Sequence, residues 1–170
     1  MACIDNRMHI SPPGAKPTNK IHEIYIDIDP DTFDECNEIG ISILKRIITN
    51  KQRVNILFFN ITTRLTDNTV TIINNYLDAI DDINYICVPL YKKLKEKWRK
   101  LICDPVNFIN EFHYDRKFVL DVITNNINII NQIEKNYNNV IIIGTNIVEA
   151  STTIENLDIV IETGWFLEVN

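Results

Sequence analysis

The sequence has no excess of positive charge, although 24% of its 170 residues are charged. It carries 23 acidic residues against 17 Lys and Arg residues, which gives a net charge of −6. An autonomous nucleic-acid-binding domain usually presents a basic face, because phosphate binding is driven by counterion release. The charge balance therefore argues against such a domain and confines any nucleic-acid contact to a local surface.

The chain also lacks paired cysteines and long apolar runs. Its four cysteines, at positions 3, 36, 87 and 103, include no C-x-x-C pair, so neither a zinc site nor a disulfide framework is indicated. No apolar run approaches the roughly 20 residues that span a bilayer, and the polar start Met1–Pro17 lacks the apolar centre of a signal peptide. We expect a reduced, intracellular protein, cytoplasmic and without a membrane partner.

The first part of the chain predicts a lead-in followed by a strand and a helix. Residues 1–20, centred on Ser11-Pro-Pro-Gly14, are typical of an irregular linker. Apolar and polar residues alternate in Ile21–Ile28, which predicts a half-buried edge strand. Apolar residues then recur at helical spacing up to about Asn50.

The rest of the sequence also predicts strands that alternate with helices. Val54–Asn60 predicts a buried strand, with Thr66 or Asp67 as the cap of the next helix. Asn84–Leu94 predicts a strand that passes into a charged helix, and residues 106–139 predict a further amphipathic helix. The four apolar residues Val140–Ile143 predict a strand buried on both faces. Together these elements predict an α/β fold with an open, mainly parallel sheet flanked by helices.

The basic residues of the chain form a single run. Six Lys and Arg residues fall within residues 92–100, interleaved with Tyr91 and Trp98. Such a run could contact a nucleic-acid strand. On a helix, however, its charges would spread over most of the circumference, which favours a solvated face.

A specific motif follows the strand Val140–Ile143. The segment Thr145-Asn-Ile-Val-Glu-Ala-Ser-Thr-Thr-Ile154 resembles motif V of the DEAH/DExH group of superfamily 2 helicases, T-N-I-A-E-T-S-x-T-I, with seven matching positions and small exchanges at Val148 and Ala150. The continuation Asp158–Gly164 is similar to the following strand of that group, with Glu162 in place of the usual Asp.

Two further segments resemble the same group. Pro89-Leu-Tyr-Lys-Lys-Leu94 is similar to its P-L-Y-x-x-L segment, and Ile102-Cys-Asp-Pro105 stands where it has I-F-E-P. The aromatic residue of I-F-E-P commonly stacks on the nucleotide base. The presence of Cys103 therefore puts base stacking by this domain in doubt. A helix within 106–139 is longer than the loop usual in the group, and we expect either a family-specific insertion or a sequence that has drifted from the group.

The resemblance implies a fold and a set of contacts. It implies the second RecA-like domain over residues 21–170, incomplete at its C-terminus. Thr145 and the backbone of Asn146 would bind the phosphates of single-stranded RNA. Ser151, Thr153 and Glu155 would face ATP, whose Mg²⁺ is held by a first RecA-like domain.

Several helicase elements have no counterpart in the 170 residues. The sequence contains no Walker A loop, no DEAH box and no arginine-rich motif VI, so we expect no ATP hydrolysis by this chain alone. Three hypotheses remain open. The chain is a truncated helicase, one half of a split helicase that acts with a separate chain carrying the first domain, or a non-enzymatic interaction module or remnant. A viral source would fit its abundance of Ile and Asn, with the viral factory or virion as location.

Overall fold

The computed structural model describes residues 3–9, 21–27, 33–117, 119, 137–145 and 153–162. The strands are β1 (Cys3–His9), β2 (Ile21–Asp27), β3 (Ile56–Asn60), β4 (Tyr85–Leu90), β5 (Asn139–Thr145) and β6 (Ile159–Glu162). The helices are α1 (Phe33–Thr49), α2 (Thr63–Ala79), α3 (Glu96–Ile102) and α4 (Pro105–Tyr114).

The strands form one sheet in the order β1-β2-β6-β3-β5-β4. The strands from β2 to β4 in this order run parallel, and only β1 is antiparallel to its neighbour. We call the end at which the parallel strands start the amino end of the sheet, and the opposite end its carboxyl end. The prediction of an α/β fold with a mainly parallel sheet is confirmed, and the fold is consistent with a RecA-like domain.

Both faces of the central strands are covered by helices. In β3, Ile56 and Phe58 pack with α1 and α2, whereas Leu57 and Phe59 pack with α3 and α4. The alternation follows from the pleat, which sends successive side chains to opposite faces. The predicted burial of the strand Val140–Ile143 on both faces is likewise confirmed, because all four of its side chains are fully buried.

The expectation of an irregular lead-in is wrong for Cys3–His9. These residues form β1 and pair with β2 along its whole length, from Cys3 opposite Asp27 to His9 opposite Ile21. The prediction of an edge strand over Ile21–Ile28 is also wrong, because β2 pairs with β1 on one side and with β6 on the other. The segment has a polar centre without apolar alternation, so its pairing comes from long-range backbone contacts that no local pattern signals. The rest of the predicted linker, residues 10–20, lies outside the described residues.

Two helix boundaries also differ from expectation. Helix α2 is capped by Thr62, whose side chain accepts a hydrogen bond from the Leu65 backbone, and therefore starts earlier than a cap at Thr66 or Asp67 would allow. Helix α3 begins only at Glu96, so the first residues of the basic run lie in a turn rather than on a helix.

Glycine is scarce, with four residues in the chain, and Gly40 has a clear packing role. It lies on the face of α1 that meets β3, where an added Cβ would overlap the Phe58 ring. The close approach of helix and strand therefore depends on the absence of a side chain at position 40.

Helix α4 occupies the start of the predicted helical segment 106–139, but residues 120–136 lie outside the described part of the chain. Within the described residues, no helix has the length and apolar character needed to cross a membrane.

Candidate functional site

The strand ends Asn60 and Thr145 lie side by side at the carboxyl end of the sheet. They are register partners in the parallel pair β3 and β5. Open α/β sheets bind their ligands outside the carboxyl ends of the strands, which makes this a candidate site. Thr145 is 5% exposed, so only a small part of its side chain is accessible to a ligand.

Asn60 is held in place by a buried polar network. Its amide nitrogen donates to the Thr69 hydroxyl at 3.0 Å, and Thr69 shares its one hydroxyl proton between the Leu65 carbonyl at 2.7 Å and the side-chain oxygen of Asn37 at 3.2 Å. These bonds tie the end of β3 to α1 and α2. A satisfied buried network fixes side-chain geometry, because each member would be costly to leave unpaired. The floor of the candidate site is therefore rigid.

A tyrosine follows the end of the neighbouring strand β4. The Tyr91 hydroxyl donates to the Asp67 carboxylate of α2 at 3.0 Å. Partial burial and the nearby Asp67 raise the pKa of Tyr91 to about 12. The neutral phenol thus persists throughout the physiological pH range.

A second group of predicted residues lies away from Thr145, next to the junction of α3 and α4. The Glu155 backbone N–H donates to the Cys103 carbonyl at 2.8 Å, and the Asn156 side chain donates to Asp104 Oδ1 at 2.9 Å. Two positions that the resemblance assigns to one nucleotide, Cys103 and Glu155, are therefore in direct contact. Partial burial raises the pKa of the Cys103 thiol despite the opposing charge of Arg99.

Asp104 is already engaged in structural bonds. The same oxygen that binds Asn156 accepts the backbone N–H groups of Val106 and Asn107 and so caps α4. Asp104 thereby fixes the segment that carries Glu155 and Asn156. Asn156 adopts a positive φ of 59°, a conformation that Asn tolerates better than most residues.

The residues around Glu155 fit the nucleoside part of ATP better than its phosphates. Glu155 and Thr153 are exposed, and a carboxylate suits ribose hydroxyls, whereas it would repel a triphosphate. ATP would contribute the scissile phosphoanhydride bond. The described residues here would serve only to hold its sugar.

The predicted site residues thus fall into two places. Thr145 is at the carboxyl end of the sheet, and Glu155, two residues after Thr153, contacts Cys103. Asn146 and Ser151 lie outside the described residues. The network residues Asn37, Asn60 and Thr69 were not predicted. A polar residue directly after a buried apolar strand, as at Asn60, is the signal that could have indicated one of them.

The opposite, amino end of the sheet contains a polar centre that the sequence did not indicate. Asn55 Oδ1 accepts the Val140 backbone N–H at 3.0 Å and the Asn139 side chain at 3.2 Å. Its backbone N–H donates to Asp158 Oδ2 at 2.7 Å, and its amide nitrogen donates to the Asn156 carbonyl at 3.3 Å. Asn55 therefore joins the starts of β3, β5 and β6.

A cleft of about 530 Å³ also opens at the amino end, where α1 and α2 end. Ile48, Tyr76, Ile80 and Tyr85 contribute apolar surface, and Lys51, Arg53, Asp81 and Asp82 contribute charges of both signs. Among the described residues, no group of three or more His, Cys, Asp or Glu side chains could hold a metal ion there or elsewhere.

Comparison with known proteins relates the chain to a helicase. In an alignment of 168 positions that covers 96% of the chain, the chain is 30% identical to a protein of Acanthamoeba polyphaga mimivirus described as "Putative ATP-dependent RNA helicase". The chain spans 9% of the length of that curated relative. No protein-family model matches the chain.

Proposed function

We propose that this chain is the second RecA-like domain of an ATP-dependent RNA helicase of the DEAH/DExH type, and that it binds the RNA backbone at the carboxyl end of β5. The observation that carries the proposal is the position of Thr145. The first residue of the motif V sequence ends a buried parallel strand and lies beside Asn60, at the end of the sheet where such folds bind ligands. The similarity to the mimivirus protein supports the helicase assignment.

The proposed contact is to phosphates and not to bases. Hydroxyl groups and backbone N–H groups hydrogen-bond phosphate oxygens without distinguishing one base from another. Thr145 and the Asn146 backbone would serve in this way, on the rigid floor formed by Asn60 and Thr69. A helicase must move along strands of any sequence, so contacts of this kind suit the proposed activity.

The later part of motif V and Glu155, which follows the motif, would contact the nucleotide. Under the proposal, Ser151 and Thr153 approach ATP and the Glu155 carboxylate accepts hydrogen bonds from the ribose. The contact between Glu155 and Cys103 supports a common site for these residues. Since Cys103 offers a thiol instead of an aromatic ring, discrimination among bases would be weak.

Hydrolysis would require a further RecA-like domain. A phosphate-binding loop and magnesium-binding carboxylates would come from that domain, on the same polypeptide or on a separate chain. Under this proposal residues 106–139 are a helical insertion within the second domain.

The test is binding of the purified chain to a short fluorescent oligouridylate at low salt. Thr145→Val removes the hydroxyl and keeps the shape of the side chain, whereas Thr145→Ser keeps the hydroxyl. A hydrogen bond to a charged group contributes about 1.5–3 kcal/mol, so we expect Thr145→Val to weaken binding by about tenfold or more. Thr145→Ser should bind nearly as well as the wild type.

A matched control separates the site from the general surface. Thr71 is an exposed threonine of α2, and Thr71→Val should leave RNA binding unchanged. Urea unfolding of each variant verifies that the chain is folded. A folded wild-type chain that does not bind RNA, or a Thr145→Val variant that binds as tightly as the wild type, would overturn the proposal and favour a non-enzymatic interaction module.

A further inference from the structure

The positive charge of the chain is concentrated in one short segment. Residues 91–100 contain six of the 17 Lys and Arg residues but only Glu96 of the 23 acidic residues, for a local charge of +5. The rest of the chain therefore has 11 basic and 22 acidic residues and a charge of −11. A cationic segment on an otherwise acidic protein creates a local positive potential.

The orientation of α3 determines which side of the molecule carries this positive charge. Trp98 and Ile102 turn α3 towards the sheet, and the Trp98 indole donates to the Pro89 carbonyl at 3.0 Å. The lysine side chains are left exposed to solvent. We call this group the lysine surface; it comprises Lys92, Lys93, Lys95, Lys97 and Lys100.

The first lysines lie at the carboxyl end of the sheet. Strand β4 ends at Leu90, which is the register partner of Gly144 in β5. Lys92 is two residues beyond Leu90, and Thr145 is one residue beyond Gly144. Adjacent strands are about 5 Å apart and consecutive Cα atoms about 3.8 Å apart, so the Cα atoms of Lys92 and Thr145 are at most roughly 16 Å from each other.

Ion pairs within the described residues leave three of these six cations, Lys92, Lys93 and Lys95, available. Lys100 pairs with Glu96 at 3.2 Å, as expected for residues four apart on a helix. No described carboxylate forms an ion pair with Lys92, Lys93 or Lys95. Arg99 of the same helix has a buried Nε for which no described residue is a hydrogen-bond partner.

We infer that Lys92, Lys93 and Lys95 bind phosphates of the same single strand that contacts Thr145. This inference rests on the proposed function and extends its site. The nucleic-acid strand would cross from the end of β5 over the end of β4 and continue along the turn before α3. The lysines would supply affinity and salt dependence, since ammonium groups attract phosphates without reading bases.

The position of the lysines favours nucleic acid over an acidic protein segment as the ligand. An isolated basic patch would suit either polyanion. Here the patch continues from the candidate site at the carboxyl end of β5, where hydroxyl and backbone groups are suited to phosphate oxygens. The acidic remainder of the chain would repel a polyanion elsewhere and so confine the strand to this path.

The test compares the salt dependence of oligouridylate binding in two triple variants. The first replaces Lys92, Lys93 and Lys95 by Gln. The second, as a matched control, replaces three exposed cations at the amino end of the sheet by Gln, namely Arg46, Lys51 and Arg53. Both variants lose the same charge, so a difference between them reports position and not net charge.

We expect the lysine variant to show a shallower salt slope. Each phosphate contact on a single strand contributes about 0.7 to the slope of log K against log salt, so loss of three contacts reduces it by about 2. The advantage of the wild type over this variant should then shrink by a factor of about 16 between about 50 and 200 mM salt. The control triple variant should keep the wild-type slope.

The outcomes separate this inference from the proposed function. Binding that depends on Thr145 but has the wild-type slope after loss of the three lysines would overturn the inference alone. Binding that does not depend on Thr145 would overturn the proposed function. A polyglutamate probe that binds the wild type but not the lysine variant, while RNA binding is unchanged, would reassign the lysine surface to an acidic protein partner.

Discussion

At the amino end of the sheet a single asparagine holds three strands together, whereas at the carboxyl end the polar side chains hold helices. Asn55 links β3 to β5 and β6 through its side chain and its backbone. Asn60 reaches only α2 directly, and α1 through Thr69. No side-chain hydrogen bond between described residues joins β3 to β5 at the carboxyl end.

This difference indicates that the hydrogen bonds of Asn55 at the amino end stabilise the sheet, whereas the strand ends at the carboxyl end remain available for the proposed RNA contact. At the amino end the polar groups around Asn55 bond one another, and these bonds fix strand register. At the carboxyl end the strand tips are joined through the backbone ladder, and the side chain of Thr145 forms no hydrogen bond to another described residue. A ligand can therefore bind at the carboxyl end without disrupting the bonds that hold the sheet together.

The largest loss of stability is expected for a substitution at the amino end of the sheet. Asn55→Ala would leave the buried Val140 N–H without its acceptor and would remove the bonds to Asn139 and Asn156, at a cost of about 3 kcal/mol in the free energy of unfolding. Asn60→Ala should cost about half as much, because Thr69 retains the Leu65 carbonyl as a partner. Urea unfolding measures both values.

Asn138→Ala is the control for the asparagine variants, since this side chain is exposed at the start of β5. We expect a change within about 0.5 kcal/mol. Equal costs at positions 55 and 60 would contradict the distinction between the two ends of the sheet.

The next prediction concerns the middle of β3, between the two ends. Gly40→Ala should lower the free energy of unfolding by about 1–3 kcal/mol, because the new methyl group overlaps the Phe58 ring. Alanine is intrinsically the better helix residue, so the sign of the change reports packing and not propensity. Phe58→Leu in the same chain should recover part of the loss, and a double-mutant cycle measures that coupling.

A smaller effect is expected where the Glu155 segment meets α4. Asp104→Ala removes the cap of α4 and the bond to Asn156, at a cost of about 1–2 kcal/mol. Asp104→Asn retains a capping oxygen and should cost much less. If Asp104→Ala leaves thermal and urea unfolding unchanged, Asp104 does not fix this segment.

The smallest changes in the free energy of unfolding are expected for two tyrosines at opposite ends of β4. These tyrosines also predict how stability depends on pH. Burial raises the pKa of Tyr85 to about 12, and its hydroxyl donates to the Gln52 carbonyl and accepts from the Val54 N–H at 3.3 Å. Because the folded-state pKa lies above the ordinary value of 10.0, the contribution to stability is complete below pH 10 and is lost as pH rises towards 12.

The stability contributed by Tyr91 depends on pH with the same sign, because the pKa of Tyr91 is also raised to about 12. At neutral pH, Tyr85→Phe should cost about 1 kcal/mol, because two partly buried backbone groups lose a partner. Tyr91→Phe should cost less than about 0.5 kcal/mol, since its bond to Asp67 is exposed. Both variants should lose less stability between pH 8 and 11 than the wild type does. A steeper alkaline loss in Tyr85→Phe would contradict this assignment.

The sequence predicted the parts of the fold that have local signatures. Apolar runs such as Val140–Ile143 can be buried on both faces only within a covered sheet, and the helical spacing in α1 and α2 indicates one buried face. The predicted start of α2 was wrong because the sequence contains three threonines that could each cap the helix, namely Thr62, Thr63 and Thr66. Only the contact of Thr62 with Leu65 distinguishes them.

The site was predicted in part, for a related reason. Thr145 follows a buried strand in the sequence and is recognisable from that alone. Asn55 has partners more than 80 residues away in the chain, so no window of sequence contains its role. The contact of Glu155 with Cys103 also joins residues from separate parts of the sequence, and it became an expectation only through the resemblance of both segments to one family.

The pairing of β1 with β2 has a practical consequence for anyone who shortens this chain. A cut near Lys20, at the end of what resembles a dispensable linker, would remove a strand that forms seven register pairs with β2. The freed backbone N–H and C=O groups of β2 would then be open to pairing with another molecule. A protein beginning at Ile21 should consequently self-associate at concentrations at which the 170-residue chain does not.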